Sequence, residues 1–396
     1  MQPRGGMTYG CGVVLLTTDQ PGDVRFWAEL KQAAETGEYC KALLFFSQSR
    51  FSPDQIRDEM RRSAPSLNYA ACSTAGELGI KDYSEGGLVA LLFPKDCFNV
   101  SAISIPDIRS IGFDRIVTKV AEARKNFALE RSDAVHRDGL QTFALCLIDG
   151  LSVVEETVTA ALHWGLDDIP LLGGSSGDDM RFSETSLILN GNVSNDCAIL
   201  LLVRTSVPFQ IFKTDNFVPT DRKLVVTRSD PERRIIYEFN ASEAASEYAR
   251  VIGKAADDLS PMSFASHPLV VRVGGEYYCR SVQKVNSDGS LSFFCAIDDG
   301  IVLTVAEPQG MTRTTRLAFE EVQRQIGGID FILGFDCVLR RIDAQNRQAT
   351  HRIQKLYQEH NVVGFNTYGE QYHSMHLNQT FTGIAFGKPL DIGGCA

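Results

Sequence analysis

The chain has 396 residues, enough for two or three domains with a substantial apolar core. Asp and Glu outnumber Lys and Arg by 49 to 39, and no basic run is longer than a pair, which argues against nucleic acid or an anionic membrane as the main partner. No apolar run approaches the roughly 18 residues that span a bilayer, and the N-terminus has no convincing signal-peptide cleavage site. The ten cysteines are widely spread, which favours a reduced, cytoplasmic protein.

Alternating strands and helices are predicted for the first half of the chain. After a short strand over residues 12–18, helix-period patterns occupy Phe26–Thr36, Pro53–Arg62, Arg115–Phe127 and Val153–Trp164. A polar, Pro-containing stretch over residues 219–234 predicts a crossing between two parts. Beyond it we predict a helix over 242–256 and hairpin strands around the turn at 286–290. The sequence therefore predicts an α/β fold with mixed sheets in two parts, residues 1–225 and 226–396.

One strand–helix–strand–strand unit occurs three times. The copies begin at Ala42–Phe46, Phe143–Ile148 and Phe331–Phe335, and the helix of the third is predicted over 343–360. In each copy the second strand ends in small hydroxyl residues, a glycine and an acidic residue. The irregular spacing of the copies excludes a solenoid. Three related units could instead direct three similar turns to a common place.

These turns predict a polar ligand site. Their hydroxyls donate and accept hydrogen bonds, their carboxylates accept, and glycine allows close approach of a ligand. The alternative is that each turn satisfies its own backbone, but three copies at equivalent places favour binding. The predicted ligand-binding residues are Ser73, Thr74, Gly76, Glu77, Ser175, Ser176, Asp178, Thr367, Gly369, Glu370 and Asn378.

Several motifs, in the same order, resemble the FIST domain, an intracellular sensory module with N-terminal and C-terminal parts. They are Cys72–Glu77, Gly173–Asp178, Tyr278–Val282, Asp288–Leu291, Gly364–Glu370 and His376–Thr380. The resemblance runs from about residue 40 to residue 387 and assigns 1–225 to the FIST N-terminal domain and 226–396 to the FIST C-terminal domain.

The sequences of the segments Phe294–Asp298 and Tyr368–Gln371 look most like those of the bacterial nitric oxide sensing proteins called NosP. This resemblance implies a b-type haem that recognises nitric oxide, and control of a partner histidine kinase or cyclic-di-GMP enzyme. For FIST proteins in general, the suggested ligands are small molecules such as amino acids.

A haem would need an axial ligand, usually an imidazole. His376 is the first candidate for the iron ligand because it follows the third turn, and His373 and His267 come next. Arg280 lies in an otherwise apolar strand, where it either extends to water or pairs with a haem propionate or an amino-acid carboxylate. His376 could equally hydrogen-bond within a polar site.

We expect no enzymatic activity. Residues 173–177 formally fit the G-x-S-x-G nucleophile motif, but the sequel at 178–185 is polar and then strand-like where that motif needs a helix. Phosphate-loop and dinucleotide motifs are absent from the sequence. Three hypotheses remain: a haem-based nitric oxide sensor, a sensor of a small polar metabolite with its pocket near the junction of the two parts, and a protein-interaction scaffold. Each is compatible with a homo-oligomer.

Overall fold

The computed structural model describes residues 6–79, 83–84, 86–130, 140–273 and 275–388. Its α-helices are α1 (Val24–Thr36), α2 (Pro53–Ser63), α3 (Phe113–Leu129), α4 (Glu155–Leu166), α5 (Ala244–Ile252), α6 (Pro261–Ser266), α7 (Met311–Ile326), α8 (Val338–Asn346) and α9 (Thr350–Glu359). The strands up to residue 214 are β1 (Met7–Thr8), β2 (Val14–Thr18), β3 (Tyr39–Phe46), β4 (Tyr69–Ser73), β5 (Glu77–Leu78), β6 (Tyr83–Ser84), β7 (Leu88–Pro94), β8 (Phe98–Pro106), β9 (Gln141–Ile148), β10 (Leu171–Ser175), β11 (Leu187–Leu189), β12 (Asn192–Ser194), β13 (Cys197–Thr205) and β14 (Phe209–Thr214). The later strands are β15 (Phe217–Asp230), β16 (Ile235–Phe239), β17 (Ser242–Glu243), β18 (Leu269–Val273), β19 (Glu276–Arg280), β20 (Val282–Val285), β21 (Leu291–Phe293), β22 (Val302–Pro308), β23 (Phe331–Cys337), β24 (Val362–Thr367), β25 (Glu370–Tyr372), β26 (Met375–Leu377) and β27 (Phe381–Phe386).

Local sequence explains where helices begin and end. Helix α2 starts with a capping box, in which Gln55 N–H donates to Ser52 Oγ over 3.1 Å and Ser52 N–H donates to Gln55 Oε1 over 3.0 Å. The single helix predicted over 343–360 is wrong. The chain forms α8 and α9 there, because Gln348 adopts a φ of 53°, which a right-handed helix does not allow.

The repeated unit is longer than the sequence pattern suggested. Each repeat consists of a strand, a helix, a strand, a second helical segment, a strand, a hairpin and a closing strand. The first three sheets therefore share one order of four strands, namely β2-β7-β3-β4, β8-β13-β9-β10 and β14-β27-β23-β24. In every sheet the last two strands are parallel and the other pairs are antiparallel. These mixed sheets confirm the predicted α/β fold class.

Each repeat gives its hairpin to the sheet of another repeat. Strand β5 of the first repeat pairs with β24 of the third, β25 of the third with β10 of the second, and β11 of the second with β4 of the first. The exchange is cyclic and ties the three repeats into one closed body. The inward faces of the three sheets form one apolar core, and helices cover the outer faces.

The fourth sheet is inserted into the third repeat. Residues 217–308 leave after β14 and return before α7, and their strands run in the order β19-β18-β22-β15-β16-β21-β20. The prediction that residues 219–234 form a linker between two parts is therefore wrong. Most of this stretch is strand β15, where Leu224 and Val226 are buried between exposed residues. A register shift between Pro219 and Lys223 accommodates the proline. The predicted division at 225/226 lies inside this strand.

Candidate functional site

The three turns meet where β4, β10 and β24 end. In each repeat, one N–H just beyond the strand donates to a carbonyl at the strand end of another repeat. These bonds run from Gly177 to Ser73, from Ala75 to Asn366 and from Tyr368 to Ser175, over 3.1, 2.9 and 3.3 Å. Because every bond joins two different repeats, the three close into a ring, which we call the turn ring.

Glu77 and Glu370 occupy equivalent places beside the turn ring, each at the first residue of an exchanged hairpin. Both side chains are fully buried. The Thr74 hydroxyl donates to the Glu77 carboxylate, whose second oxygen accepts from Gly87 N–H over 2.8 Å. In the same way, the Thr367 hydroxyl donates to the Glu370 carboxylate, whose second oxygen accepts from the Thr380 hydroxyl over 2.8 Å. Burial raises the pKa of Glu77 to about 7 and that of Glu370 to about 8. Both carboxyl groups therefore form their hydrogen bonds inside the protein and do not face solvent.

Asp178 is not equivalent to these two acids, although the sequence pattern aligned them. It opens a loop over 178–186 that the other two repeats lack. Its carboxylate accepts the Tyr368 hydroxyl and the N–H groups of Phe182, Ser183 and Glu184. Burial acts to raise the pKa of Asp178, but these hydrogen bonds outweigh it and lower the pKa.

The other predicted turn residues are also buried. Ser73 Oγ accepts from Ser186 N–H over 2.9 Å, Ser175 Oγ accepts from Gln371 Nε2 over 2.9 Å, and Ser176 Oγ donates to the Ile148 carbonyl over 3.3 Å. The wider set without exposed surface comprises Ser73, Thr74, Ser175, Ser176 and Thr367, and Gly76 and Gly369 are buried with them. These contacts favour a structural role for the turn ring, and ligand binding by its residues stays a prediction.

The inserted sheet covers the body beside the turn ring. Phe294 of the insertion packs near Tyr368 of the third repeat and Phe182 of the second. The Phe182 and Tyr368 rings stack with centroids 4.7 Å apart, and Phe294 lies 6.0 Å from Phe182. We call this contact of three chain segments the junction.

Left-handed backbone conformations occur in the loop that carries Phe182 and just before α4. Val153, a β-branched residue, has a φ of 66°, and Asp179, Met180 and Phe182 have φ values of 57°, 63° and 51°. Residues with side chains avoid this left-handed region. Such strain persists only where surrounding contacts impose it, and it is concentrated at functional sites.

A buried ion cluster joins the insertion to the second repeat. Arg234 donates Nη2 to the carboxylates of both Glu155 and Glu156, and Nη1 to the Phe294 carbonyl over 2.8 Å. Glu156 also accepts from Ala296 N–H over 3.1 Å. Burial raises the pKa of Glu155, and the Arg234 charge opposes that rise. The sequence analysis missed these residues, because the helix dipole already explains two acids at a helix start and they give no signal of a buried cation partner.

His376 lies in this cluster and is only 4% exposed. Its Nδ1 is 3.2 Å from Gln371 Nε2, and its ring packs directly against Gly369. Burial lowers the pKa of His376 to about 4, although Glu156 opposes the shift, so the imidazole is neutral at pH 7.

The other two histidines lie elsewhere. His373 is exposed on the β25–β26 turn, with its ring centroid 6.4 Å from that of His163. His267 is half-buried after α6, and its Nδ1 is 3.3 Å from the Ser263 carbonyl. The three histidines, which the sequence offered as alternatives for one axial ligand, therefore have different surroundings.

Arg280 faces the His376 side of the junction and is half-buried. Its Nη1 donates to the Cys279 carbonyl over 3.1 Å, and its charge acts on His376 and Cys295. Within the described ranges, no carboxylate forms an ion pair with it, so its charge is available to an anionic group.

Two buried polar atoms at the junction have no partner among the described residues. One is Nε of Arg234, a donor, and the other is Oδ1 of Asn378, an acceptor. The Asn378 side chain is 1% exposed, and its Nδ2 donates to the Tyr368 carbonyl over 3.3 Å. Buried groups of this kind usually bind a water, an ion or a ligand.

Comparison with known proteins identifies the family. The FIST N domain matches residues 41–242, and the FIST C domain matches residues 244–373. The chain belongs to the FIST family. FIST domains are sensory and signalling modules. Over 401 aligned residues the chain is 23% identical to the uncharacterized protein MJ1623 of Methanocaldococcus jannaschii, with 90% of this chain and 77% of that protein covered.

A solved structure also resembles this FIST protein. Cyanuric acid hydrolase from A. caulinodans matches it with a TM-score of 0.40 and 8% identity, over 95% of this chain and 99% of the hydrolase chain. We infer nothing about activity from so distant a likeness. The more specific placement of this FIST chain with the NosP proteins stays a prediction.

In the observed conformation, His376, the first candidate for the haem ligand, is buried. To ligate iron it would have to become accessible, and ligation through Nδ1 would break its contact with Gln371. Among the residues that the structure describes, no three His, Cys, Asp or Glu side chains are grouped as metal ligands, and no helix is long and apolar enough to cross a bilayer.

Proposed function

We propose that this FIST protein is a sensor of a small polar metabolite that carries both an anionic group and a hydrogen-bond donor, such as a free amino acid. The ligand binds at the junction, and signalling follows from a change in how the inserted sheet contacts the three-repeat body. One observation carries this proposal: a buried donor, Arg234 Nε, and a buried acceptor, Asn378 Oδ1, both lack a partner at the same contact between segments.

The chemistry of these two groups defines the ligand. The Nε–H of Arg234 can donate to a carboxylate oxygen, but Glu155 and Glu156 already compensate the charge of Arg234. The positive charge that attracts the anionic group therefore comes from Arg280, on the same side of the junction. An amide oxygen accepts from an ammonium or hydroxyl group. The two are linked through neighbours, because Arg234 donates to the Phe294 carbonyl and Asn378 donates to the carbonyl of Tyr368, whose ring lies 6.5 Å from that of Phe294.

The site is closed in the observed conformation, so binding requires movement at the junction. The strained backbone at Val153 and at residues 179–182 supports such movement, because relaxation of left-handed residues lowers the free energy of an alternative conformation. Ligands then act by binding one of two conformations more tightly.

Thermal unfolding in the presence of a ligand panel tests the proposal. The panel contains free amino acids, together with carboxylic acids and amines that carry only one of the two groups. A ligand at 100 times its Kd stabilises the folded state by about 2.7 kcal/mol. We expect at least one compound that carries both groups to raise Tm, and its single-group analogues to have weaker effects.

Asn378→Leu removes the unpartnered acceptor at similar volume and should abolish the ligand-induced shift. Thr382→Val is the matched control, because Thr382 is a buried residue of β27 whose Oγ1 also lacks a partner in the described structure. Its ligand-induced shift should equal that of the wild type. The proposal fails if no compound raises Tm, or if Asn378→Leu keeps the full shift.

The output partner belongs to the same proposal. The sequence resemblance implies that this partner is a sensor histidine kinase or a cyclic-di-GMP enzyme. A pull-down with and without the stabilising compound tests whether binding of such a partner depends on the state of the junction. The haem hypothesis has no comparable support from the geometry.

A further inference from the structure

Strand β8 leaves one edge of the second repeat's sheet open. It pairs with β13 along its whole length, from Phe98 opposite Thr205 to Pro106 opposite Cys197. Alternate residues of an antiparallel strand direct their N–H and C=O groups away from the partner. Within the described ranges, no strand pairs with that outer side of β8, and no backbone hydrogen bond joins residues 99–106 to a segment other than β13. The outward groups are therefore available to another strand.

Among the strands that end the four sheets of the described structure, β8 alone is both long and uncharged. It has nine residues and no Asp, Glu, Lys or Arg. The edge strands β1, β6, β12 and β26 contain only two or three residues each. The edge strands β14, β19 and β20 carry charges, namely those of Lys213, Glu276, Arg280 and Lys284. Short or charged edges resist association, whereas a long uncharged edge favours pairing with a further strand.

The first repeat shows how such an edge is covered. Strand β2 comes first in the four-strand order of its repeat, as β8 does, and β1 pairs antiparallel with its outer side. Met7 lies opposite Leu15 there, and Thr8 lies opposite Val14. The second repeat has no strand in this place within the described residues. The fold therefore accepts an added antiparallel strand at this edge.

Helix α3 covers β8 on the outer face of the sheet. Ile103 and Ile105 of the strand belong to the same apolar cluster as Ile116 and Val120 of the helix. Val120 also packs closely against Gly165 of α4, so α4 covers one flank of α3. The opposite flank of α3 borders the open edge, because β8 is the last strand of the sheet on that side.

That opposite flank carries charges of both signs. Arg115 and Lys119 line an open cleft together with Pro106, the last residue of β8. Glu122 follows Lys119 at the i, i+3 spacing that makes two side chains neighbours on a helix surface. All three charged side chains are exposed, and none of them forms an ion pair in the part of the chain that the structure describes. Along this flank, positive charge therefore precedes negative charge.

The middle of β8 lies beside the middle of α3. At one end, Ile105 shares a cluster with Ile116. At the other end, Arg204, which lies opposite Asn99, donates to the Phe127 carbonyl over 3.0 Å. Strand and helix therefore run in opposite directions, and the change of sign on the helix flank is level with the centre of the strand.

We propose that β8 pairs antiparallel with β8 of a second copy, which joins two six-stranded sheets into one and makes the protein a two-fold symmetric dimer. The uncharged strands meet without repulsion, and the two α3 helices lie antiparallel at about 10 Å. A two-fold axis at the centre of β8 places Lys119 of each copy beside Glu122 of the other. A second copy fits this edge because its own helix flank changes sign where the axis passes. The proposal uses no residue of the junction.

Sedimentation velocity of the full-length protein over a concentration series tests the proposal. We expect the wild type to form a dimer. Lys119→Glu brings like charges together twice across the axis and should raise the Kd of the dimer by about 10-fold or more. The double variant Lys119→Glu/Glu122→Lys restores opposite charges and should return the Kd to near the wild-type value. Lys355→Glu is the matched control, because it makes the same charge change at an exposed position of α9 in the third repeat. Circular dichroism checks the folding of each variant.

Hydrogen–deuterium exchange of the wild type examines the strand itself and depends on no variant. Amides of the peptide 98–106 should exchange more slowly above the Kd of the dimer than below it, whereas those of the peptide 209–214, which contains β14, should not change. A monomer throughout the concentration series overturns the proposal. A dimer that Lys119→Glu leaves intact, or that does not slow exchange in 98–106, also overturns it, because the contact then uses another surface.

Discussion

Gly177 of the second repeat donates its N–H to the carbonyl of Ser73 in the first repeat over 3.1 Å. This bond is one third of the turn ring, and it places two chain segments about a hundred residues apart in direct backbone contact. A Cβ atom at Gly177 would lie 2.7 Å from Ala75 N and 2.9 Å from Ala75 Cβ. The position therefore requires glycine because of close approach by another repeat.

Gly177→Ala should destabilise the protein by about 2–4 kcal/mol, because backbone atoms of Ala75 cannot move away from the added methyl group without breaking the turn ring. Urea unfolding followed by circular dichroism measures the effect. Gly22→Ala is the control, since nothing lies within 4 Å of a Cβ at Gly22. Equal midpoints for the two variants would show that the turn ring adapts.

The buried carboxyl of Glu370 should make stability depend on pH. Because burial raises the pKa of Glu370 from its ordinary value of 4.5 to about 8 in the folded state, the folded state holds a proton that the unfolded state releases. Stability from this group is fully present below about pH 4.5 and is lost as pH rises towards 8, by at most about 1.4 kcal/mol per pH unit.

Glu370→Gln should remove that slope, because glutamine resembles the protonated acid and can donate to Thr367 and accept from Thr380. The variant should gain stability relative to the wild type between pH 5 and pH 8, as measured by chemical denaturation at several pH values. Glu59→Gln is the control, because Glu59 pairs with Arg62 on the surface. Parallel pH profiles for the wild type and Glu370→Gln would contradict the assignment.

Loss of one member of the buried ion cluster should be costly. Arg234→Met leaves Glu155 and Glu156 without their cation, and breaking a buried pair in this way typically costs about 3–5 kcal/mol. Arg62→Met removes an exposed pair and should cost under about 1 kcal/mol. If limited proteolysis cuts Arg234→Met between the insertion and the repeats, the cluster holds the junction closed; an unchanged cleavage pattern and Tm would exclude that role.

His376→Ala tests the haem hypothesis directly. Since the His376 ring is buried and contacts Gln371, we expect any absorption band of protein prepared with haem to be the same in the variant and the wild type. His351→Ala serves as the control for loss of an exposed histidine. Disappearance of the Soret band in His376→Ala alone would establish His376 as an axial ligand and a conformation different from the observed one.

Local sequence patterns were sufficient to predict several helices and the three strand ends. The helices predicted at 26–36, 53–62, 115–127 and 153–164 lie within two residues of the observed bounds, because apolar periodicity and caps act over a few neighbouring residues. The repeated Ser/Thr-Gly-acid sequence pattern also identified the three strand ends that meet in the turn ring. These features are encoded by residues adjacent in the chain.

Long-range pairing determined the rest. The sequence does not indicate that hairpins are exchanged between repeats, that Asp178 belongs to an extra loop, or that residues 217–308 are inserted into the third repeat. Arg234 looked like part of a polar linker, yet it is buried against Glu155 and Glu156, which lie 79 and 78 residues earlier in the chain. Composition and periodicity report only the immediate surroundings of a residue, whereas the partner of a buried charge is chosen by the tertiary structure, which alone brings distant segments within hydrogen-bonding distance.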